Sequence, residues 1–187
     1  MADSNITKRA LASALKELMN EMPFAKISVS NICEKCDMNR KSFYYHFKDK
    51  YDLANWIFDT EFMAIAKKNS YGTTWDFFED FCNYFYENKR FYRKLLKVEG
   101  QNSFSEHFRE IIQPALRKRV EDVMDSREVH PFYINFFTDA VICTIVRWLS
   151  ERDCMPPNEF ISRLKFLVES GAVYVCRNMN TENGAEE

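Results

Sequence analysis

Four glycines and five prolines in 187 residues leave little material for tight turns. Valine and isoleucine rarely alternate with polar residues, so a strand-rich fold is disfavoured and a helical one expected. No long uninterrupted apolar run is present; the longest, around residues 132–149, is broken by Asp139 and Arg147 and predicts no membrane span. The first residues, MADSNITKR, lack the apolar core of a signal peptide, so a cytoplasmic protein is expected. Its six cysteines, at 33, 36, 82, 143, 154 and 176, are then free thiols. No Gly-rich phosphate loop, nucleophile elbow or H-E-x-x-H is found, so neither an enzyme nor a catalytic residue is read here. Cys33-x-x-Cys36 is the one close thiol pair. It has no second pair and no spaced histidines beside it, and His46, His107 and His130 are dispersed. No metal and no cofactor are expected.

Net charge is also nearly absent, at -2, which alone does not suggest nucleic acid. Its distribution does. Residues 1–50 carry nine Lys and Arg against six Asp and Glu, and the remainder carries 17 against 22. A basic head on an acidic body fits a DNA-reading module attached to a part with another task.

What is present is concentrated in residues 28–53, SVSNICEKCDMNRKSFYYHFKDKYDL. Ser28 is placed to cap a short helix that buries Val29 and Ile32. Asp37 falls where a turn needs a residue tolerant of left-handed geometry. Asn39 caps a second short helix. Its Phe43 and Phe47, four apart, point to the core and leave Arg40, Lys41, Ser42, Tyr44 and Tyr45 outward. Asp49 and Asp52 open the next helix. A short basic, aromatic, hydroxyl-bearing helix held by a partner helix suits a DNA major groove. The alternative is a merely solvated basic face.

Around this segment the pattern predicts an all-α chain of about nine helices, an N-terminal three-helix helix-turn-helix domain followed by a helical bundle. Leu11, Leu15, Leu18 and Met22 stripe the first helix, which Pro23 stops. The fourth runs from Asp49-Lys50 to about Asn69, and the fifth and sixth cover about 74–88 and 89–98. Ser103-x-x-Glu106 boxes the seventh, which reaches about Asp125 and is expected to kink or split at Pro114. Pro131 opens the eighth, to about Glu151, and Pro156-Pro157 the ninth, to about Asn178. The domains expected are 1–48 for DNA binding, 49–71 as a connecting helix, 72–178 for ligand sensing and dimerisation, and 179–187 as a disordered tail.

Residues 5–60 resemble the DNA-binding domain of TetR/AcrR-type bacterial transcriptional regulators. The resemblance is carried by Ile27-Ser28-Val29-Ser30-Asn31-Ile32-Cys33, by Cys36 through Lys50, above all Phe43-Tyr44-x-His46-Phe47-x-x-Lys50, and by Leu53. Asp37 stands where the family usually has glycine. Asn83–Lys97, NYFYENKRFYRKLLK, resembles the subgroup containing dihydroxyacetone kinase regulators. The resemblance implies a TetR-like fold and a double-stranded DNA operator as partner. It implies a homodimeric repressor released by a small-molecule effector or, alternatively, an activator or co-regulator of the dihydroxyacetone kinase type without a large effector pocket. An architectural DNA binder and a ligand-binding protein whose DNA activity has decayed are the rival classes.

The resemblance makes the third helix the recognition helix. Arg40 and Lys41 then reach base edges, and Asn39 belongs to the same surface. Ser42 bonds a base or a phosphate, while Tyr44, Tyr45 and His46 touch phosphates or a thymine methyl. Lys50 takes a phosphate, and Ser28 and Ser30 contact backbone. Helices eight and nine are apolar on two sides, which predicts a twofold four-helix interface using Val141, Ile145, Trp148, Leu164, Leu167, Val168, Gly171 and Val175. Trp75, Phe78, Phe81, Tyr84, Phe85, Tyr92, Phe104, Phe108, Tyr133 and Phe137 are candidates to line an effector cavity or, equally, plain core.

Overall fold

A computed structural model of the chain describes residues 2–98, 103–123 and 130–182, leaving the side chains of 2, 3, 119, 122, 123 and 175–182 outside the description. Every regular element among the described residues is helical. The helices are α1 (Ala2–Glu21), α2 (Val29–Lys35), α3 (Arg40–His46), α4 (Lys50–Phe58), α5 (Thr74–Glu87), α6 (Lys89–Leu95), α7 (Phe104–Val123), α8 (Pro131–Ser150) and α9 (Pro157–Glu182). α4 continues through a π-helical turn, Asp59–Met63, into a last turn, Ala64–Ala66, a feature with no counterpart in the sequence reading.

Chain contacts divide the molecule into two compact units, 1–70 with 87–107, and 71–86 with 108–187. In the first, α1 buries Leu11, Leu15, Leu18 and Met19 with Ile32, Phe43, Phe47, Leu53 and Ile57. Phe58 stacks on Phe62 and meets Tyr92 and Phe104 edge-on. α6, expected in the C-terminal part, packs in this unit: Lys94 donates to the Met19 carbonyl, and Lys16 sits 5.7 Å from the Phe91 ring centre. The Lys16–Glu61 ion pair at 2.6 Å and a hydrogen bond between His107 and Asp59 at 2.9 Å clasp the same unit.

In the second unit, Phe81 stacks parallel on Phe108 at 5.2 Å, and Phe85 lies 4.2 Å from Phe81. Trp148 stacks on Phe160 at 4.2 Å and donates its indole N–H to the Met155 carbonyl. α7 is not split at Pro114. Phe108, Ile112, Leu116 and Val120 are all buried, so packing on both sides of the proline holds one continuous helix across the missing hydrogen bond. α8, contrary to expectation, is long and apolar enough to cross a membrane by length and composition. Seven of its side chains are instead buried within the protein. α9 runs past the expected end at Asn178 to Glu182, and residues 183–187 of the expected tail lie outside the described residues.

Candidate nucleic-acid interface

Three local devices fix α2 and α3. Ser28 accepts from the Asn31 amide at 3.1 Å while the Asn31 side chain accepts from the Ser28 amide at 3.0 Å, a reciprocal box that satisfies two orphan donors. At the other end of α2, Asp37 has φ 53°. The Met38 amide reaches back to the Cys33 carbonyl at 2.9 Å and the Asp37 amide to that of Glu34 at 3.4 Å. This pair of bonds is a Schellman closure, which needs one left-handed residue and here takes aspartate. Asn39 then caps α3, accepting from the Ser42 amide at 2.8 Å and from the Ser42 hydroxyl at 3.2 Å. Asp49 caps α4 by accepting from the Tyr51 and Asp52 amides.

These devices present one face of α3 to solvent. Phe43 and Phe47 are buried, as their spacing predicts, whereas Arg40, Lys41, Tyr44 and Tyr45 are exposed, Tyr45 to 83%. The Arg40 guanidinium donates to the Tyr44 hydroxyl at 3.3 Å and lies 5.7 Å from that ring, a contact that pushes its pKa up further. His46 is half-buried and meets Tyr45 edge-on at 4.9 Å. Ser28, Asn39 and Ser42 reach this surface but are engaged as caps, and Ser30 is half-buried.

Lys50 is placed differently from the phosphate ligand expected. Its Nζ donates to the carbonyls of Phe24, Ala25 and Ile27 at 2.9, 3.2 and 2.8 Å and sits 4.7 Å from the Phe24 ring centre. Burial lowers its pKa. All three ammonium donors are therefore spent on the turn between α1 and α2. A cation missed in the sequence is Lys8 of α1, whose Nζ lies 5.7 Å from the Phe47 ring and 5.8 Å from the Trp56 ring, beside the C-terminal end of α3. Only its charge could have pointed to it. At Cys33 and Cys36 desolvation raises both thiols, and Cys36 Sγ donates to the Ile32 carbonyl.

The residues expected at a dimer contact divide between the interior of this chain and its surface. Val141, Ile145, Trp148, Leu164 and Val168 are buried within the chain, while Leu167 is exposed. Gly171, expected to admit a partner helix, faces this chain's own Phe137: a Cβ there would meet Phe137 Cε1 at 3.4 Å. The Val175 side chain lies outside the described residues. Exposed instead are Phe132, Phe136, Cys143 and Thr144 on α8 and Phe166, Leu167 and Tyr174 on α9. A groove of about 320 Å³ runs along these helices, lined by Phe136, Ala140, Thr144 and Tyr174 and also by Val141, Leu164, Leu167, Val168 and Gly171 of the expected set.

The aromatic candidates are distributed over both units. Phe78, Phe81, Phe85 and Phe108 are buried in the second unit, and Tyr92 and Phe104 are buried in the first. Tyr84 and Tyr133 are half-buried. Phe137 borders the α8–α9 groove, and Trp75 borders a separate cavity.

Two family models match the chain: "Bacterial regulatory proteins, tetR family" over residues 11–56 and "Transcriptional regulator C-terminal region" over residues 73–170. Over 154 residues, 79% of this chain and 81% of the relative, it is 29% identical to the HTH-type dhaKLM operon transcriptional activator DhaS of Lactococcus lactis subsp. lactis (strain IL1403). Among solved structures it is similar to the dihydroxyacetone kinase operon activator DhaS, with TM-score 0.64 and 23% identity over 89% of this chain and 96% of that one. It is also similar to a TetR transcriptional regulator from Streptococcus agalactiae 2603V, with TM-score 0.71 and 22% identity over 90% and 96%. At those identities the structural likenesses speak for the fold.

Proposed function

Because the chain belongs to the tetR family of bacterial transcriptional regulators, we propose that it reads a DNA operator as a homodimer, each protomer placing α3 in a major groove. The observation that carries this reading is the outward face of α3, where Arg40, Lys41, Tyr44, Tyr45 and His46 stand on a helix pinned by its cap and by buried Phe43 and Phe47. Rigid placement matters because base edges are read only by donors already in register. Arg40 and Lys41, in the first turn, read bases, and the Arg40 fork matches guanine O6 and N7 once it leaves Tyr44. Tyr44, Tyr45 and His46 take phosphates or thymine methyls. The α2 terminus at Ser28 and Ser30 and the Asn39–Ser42 cap contact backbone. Lys50 is a positioning residue that holds the turn under α2.

The second copy covers the exposed stripe of Phe132, Phe136, Leu167 and Tyr174, giving a twofold four-helix contact. In this reading residues 1–48 bind DNA, 49–71 connect, and 72–178 sense and dimerise, with α6 serving as support for the first unit. The protein works in the cytoplasm, with neither a membrane nor a catalytic step in its task.

Two signs of regulation are open to such a dimer. Repression follows from an operator that overlaps a promoter, with an effector altering the separation or tilt of the two recognition helices. Activation is favoured by a specific observation, the relative named as a transcriptional activator. The close stacking of Phe81 with Phe85 and Phe108 supports a regulator without a large pocket among these rings, with an effector acting outside them.

The test is a gel shift of the purified protein against the promoter region beside its own gene, with scrambled competitor and a salt series. Retarded bands that survive scrambled DNA support a regulator. Binding lost equally to any DNA identifies an architectural binder, and no binding at all a decayed one. A reporter fused to the same promoter separates activation from repression.

A further inference from the structure

The C-terminal unit holds a second concave surface that shares no residue with the α8–α9 groove. Tyr71, Gly72, Thr73, Thr74, Trp75 and Phe77, from the loop into α5 and its first turns, form one wall. Ala115 and Lys118 of α7 and Lys165 and Glu169 of α9 complete a cavity of about 530 Å³. This is within the size range of small-molecule sites.

The rings of this wall are held in place. The Tyr71 hydroxyl donates to Asp80 at 3.0 Å, and its ring meets Phe77 edge-on at 5.7 Å. The Trp75 indole N–H donates to Glu169 at 2.9 Å. The acids nearby have structural tasks. Glu169 orients the indole, and Asp76 accepts from the Thr73 amide at 2.8 Å, a bond that lowers its pKa, with the Lys165 charge adding to the effect. Beyond the effect of Lys165 on Asp76, the two cations are not held: no hydrogen bond or ion pair among the described residues engages the ammonium of Lys118 or Lys165. A cationic guest would meet two like charges, and a neutral polar one would leave the ring wall uncovered.

We propose that this cavity binds a small organic anion with a flat apolar body, its carboxylate between Lys118 and Lys165 and its ring against Trp75 and Phe77. The inference rests on the reading of the chain as an effector-responsive regulator. It gives that effector a chemical class and a place outside the aromatic core.

The experiment is calorimetric titration of the full-length protein with 2-naphthoate, with the neutral 2-naphthylmethanol as comparison, and operator binding measured on the same preparation. The expected result is saturable binding of one naphthoate per protomer. Lys118→Gln and Lys165→Gln each weaken it about tenfold, the worth of a charged hydrogen bond at an exposed rim. Lys67→Gln, the same charge change elsewhere, leaves it unaltered. Equal affinity for the neutral analogue, no saturation, or indifference to both cavity substitutions would overturn the proposal. Folding is checked by circular dichroism, and Lys→Arg at either position should restore binding. If naphthoate fails to bind while operator binding is intact, only this inference falls. If naphthoate binds but no DNA does, it is the regulator reading that falls.

Discussion

Replacing Phe136 with alanine tests which stripe of α8 meets the partner. Phe136 is 57% exposed in the single chain, stacks on Phe132 and lies along the groove beside Leu167 and Tyr174. A phenylalanine side chain buries on the order of 200 Å², so about 100 Å² remains for a second copy to cover. At about 25 cal/mol per Å² that is about 2.5 kcal/mol for each protomer, and a twofold contact counts it twice. Incomplete cover in the dimer halves the sum, leaving about 2.5 kcal/mol, which weakens the dimer constant on the order of a hundredfold. Because the ring is largely outside the protomer core, helicity should be retained. Sedimentation over nanomolar to micromolar concentrations reads the constant. An unchanged constant in a folded variant would refute the outward-stripe assignment and return the interface to another surface.

Four further outcomes follow from the geometry. Asp37→Gly removes the strain of a left-handed aspartate and should raise stability by about 1 kcal/mol, seen as a melting temperature higher by about 2–4 °C in a chain of this size. Lys50→Ala removes the ammonium donor from the Ala25 and Ile27 carbonyls and one of the two donors from that of Phe24, which keeps the Ile27 amide, and should cost about 1–3 kcal/mol of stability. The salt slope of DNA binding should stay as in the parent, whereas a phosphate ligand would lower it by about one. With a thiol reagent at mild alkaline pH, Cys82, buried with its thiol pushed up to about 12, should resist labelling. Exposed Cys143 should label readily when dilute and slowly at concentrations where the dimer forms, as read by peptide mass spectrometry. Arg40→Ala should cost about 1–3 kcal/mol of specific binding and blur preference at one base, measured by competition against substituted operators.

The helix-turn-helix was legible because its signals are local. Ser28, Asn39 and Asp49 cap within three residues of themselves, and Phe43 with Phe47 marks a buried face by spacing alone. Asp37 was readable for the same reason: a Schellman turn admits few residues at its left-handed position. The placement of Lys50 was not legible because a lysine at a helix start looks identical whether its ammonium reaches outward or folds back onto the carbonyls of residues 24–27. That choice depends on a turn 23 to 26 residues away in sequence.

The dimer contact was less legible for a different reason. α8 carries two apolar stripes, and periodicity does not say which one its own chain covers. The answer came from α9 and α7, whose Ala172 and Val120 meet Ile134 and Phe137 of α8. The packing of α6 was not legible because its anchoring contacts, Lys94 to the Met19 carbonyl and Lys16 near the Phe91 ring, run to a helix some 75 residues earlier in sequence. The π-turn at Asp59–Met63 breaks no residue preference, so composition gave no sign of it. The cavity lysines were equally silent: Lys118 and Lys165 are ordinary surface cations until folding brings both to one cavity with Trp75.

The most direct measurement is a cleavage footprint on the promoter region adjoining the gene, with the parent chain and Arg40→Ala side by side. The account predicts two protected half-sites related by a twofold axis, their centres about one helical turn of DNA or a multiple of it apart. Protection by the arginine-less variant should be fainter at the same spacing. Uniform, salt-labile protection with no half-sites, identical in both proteins, would contradict it.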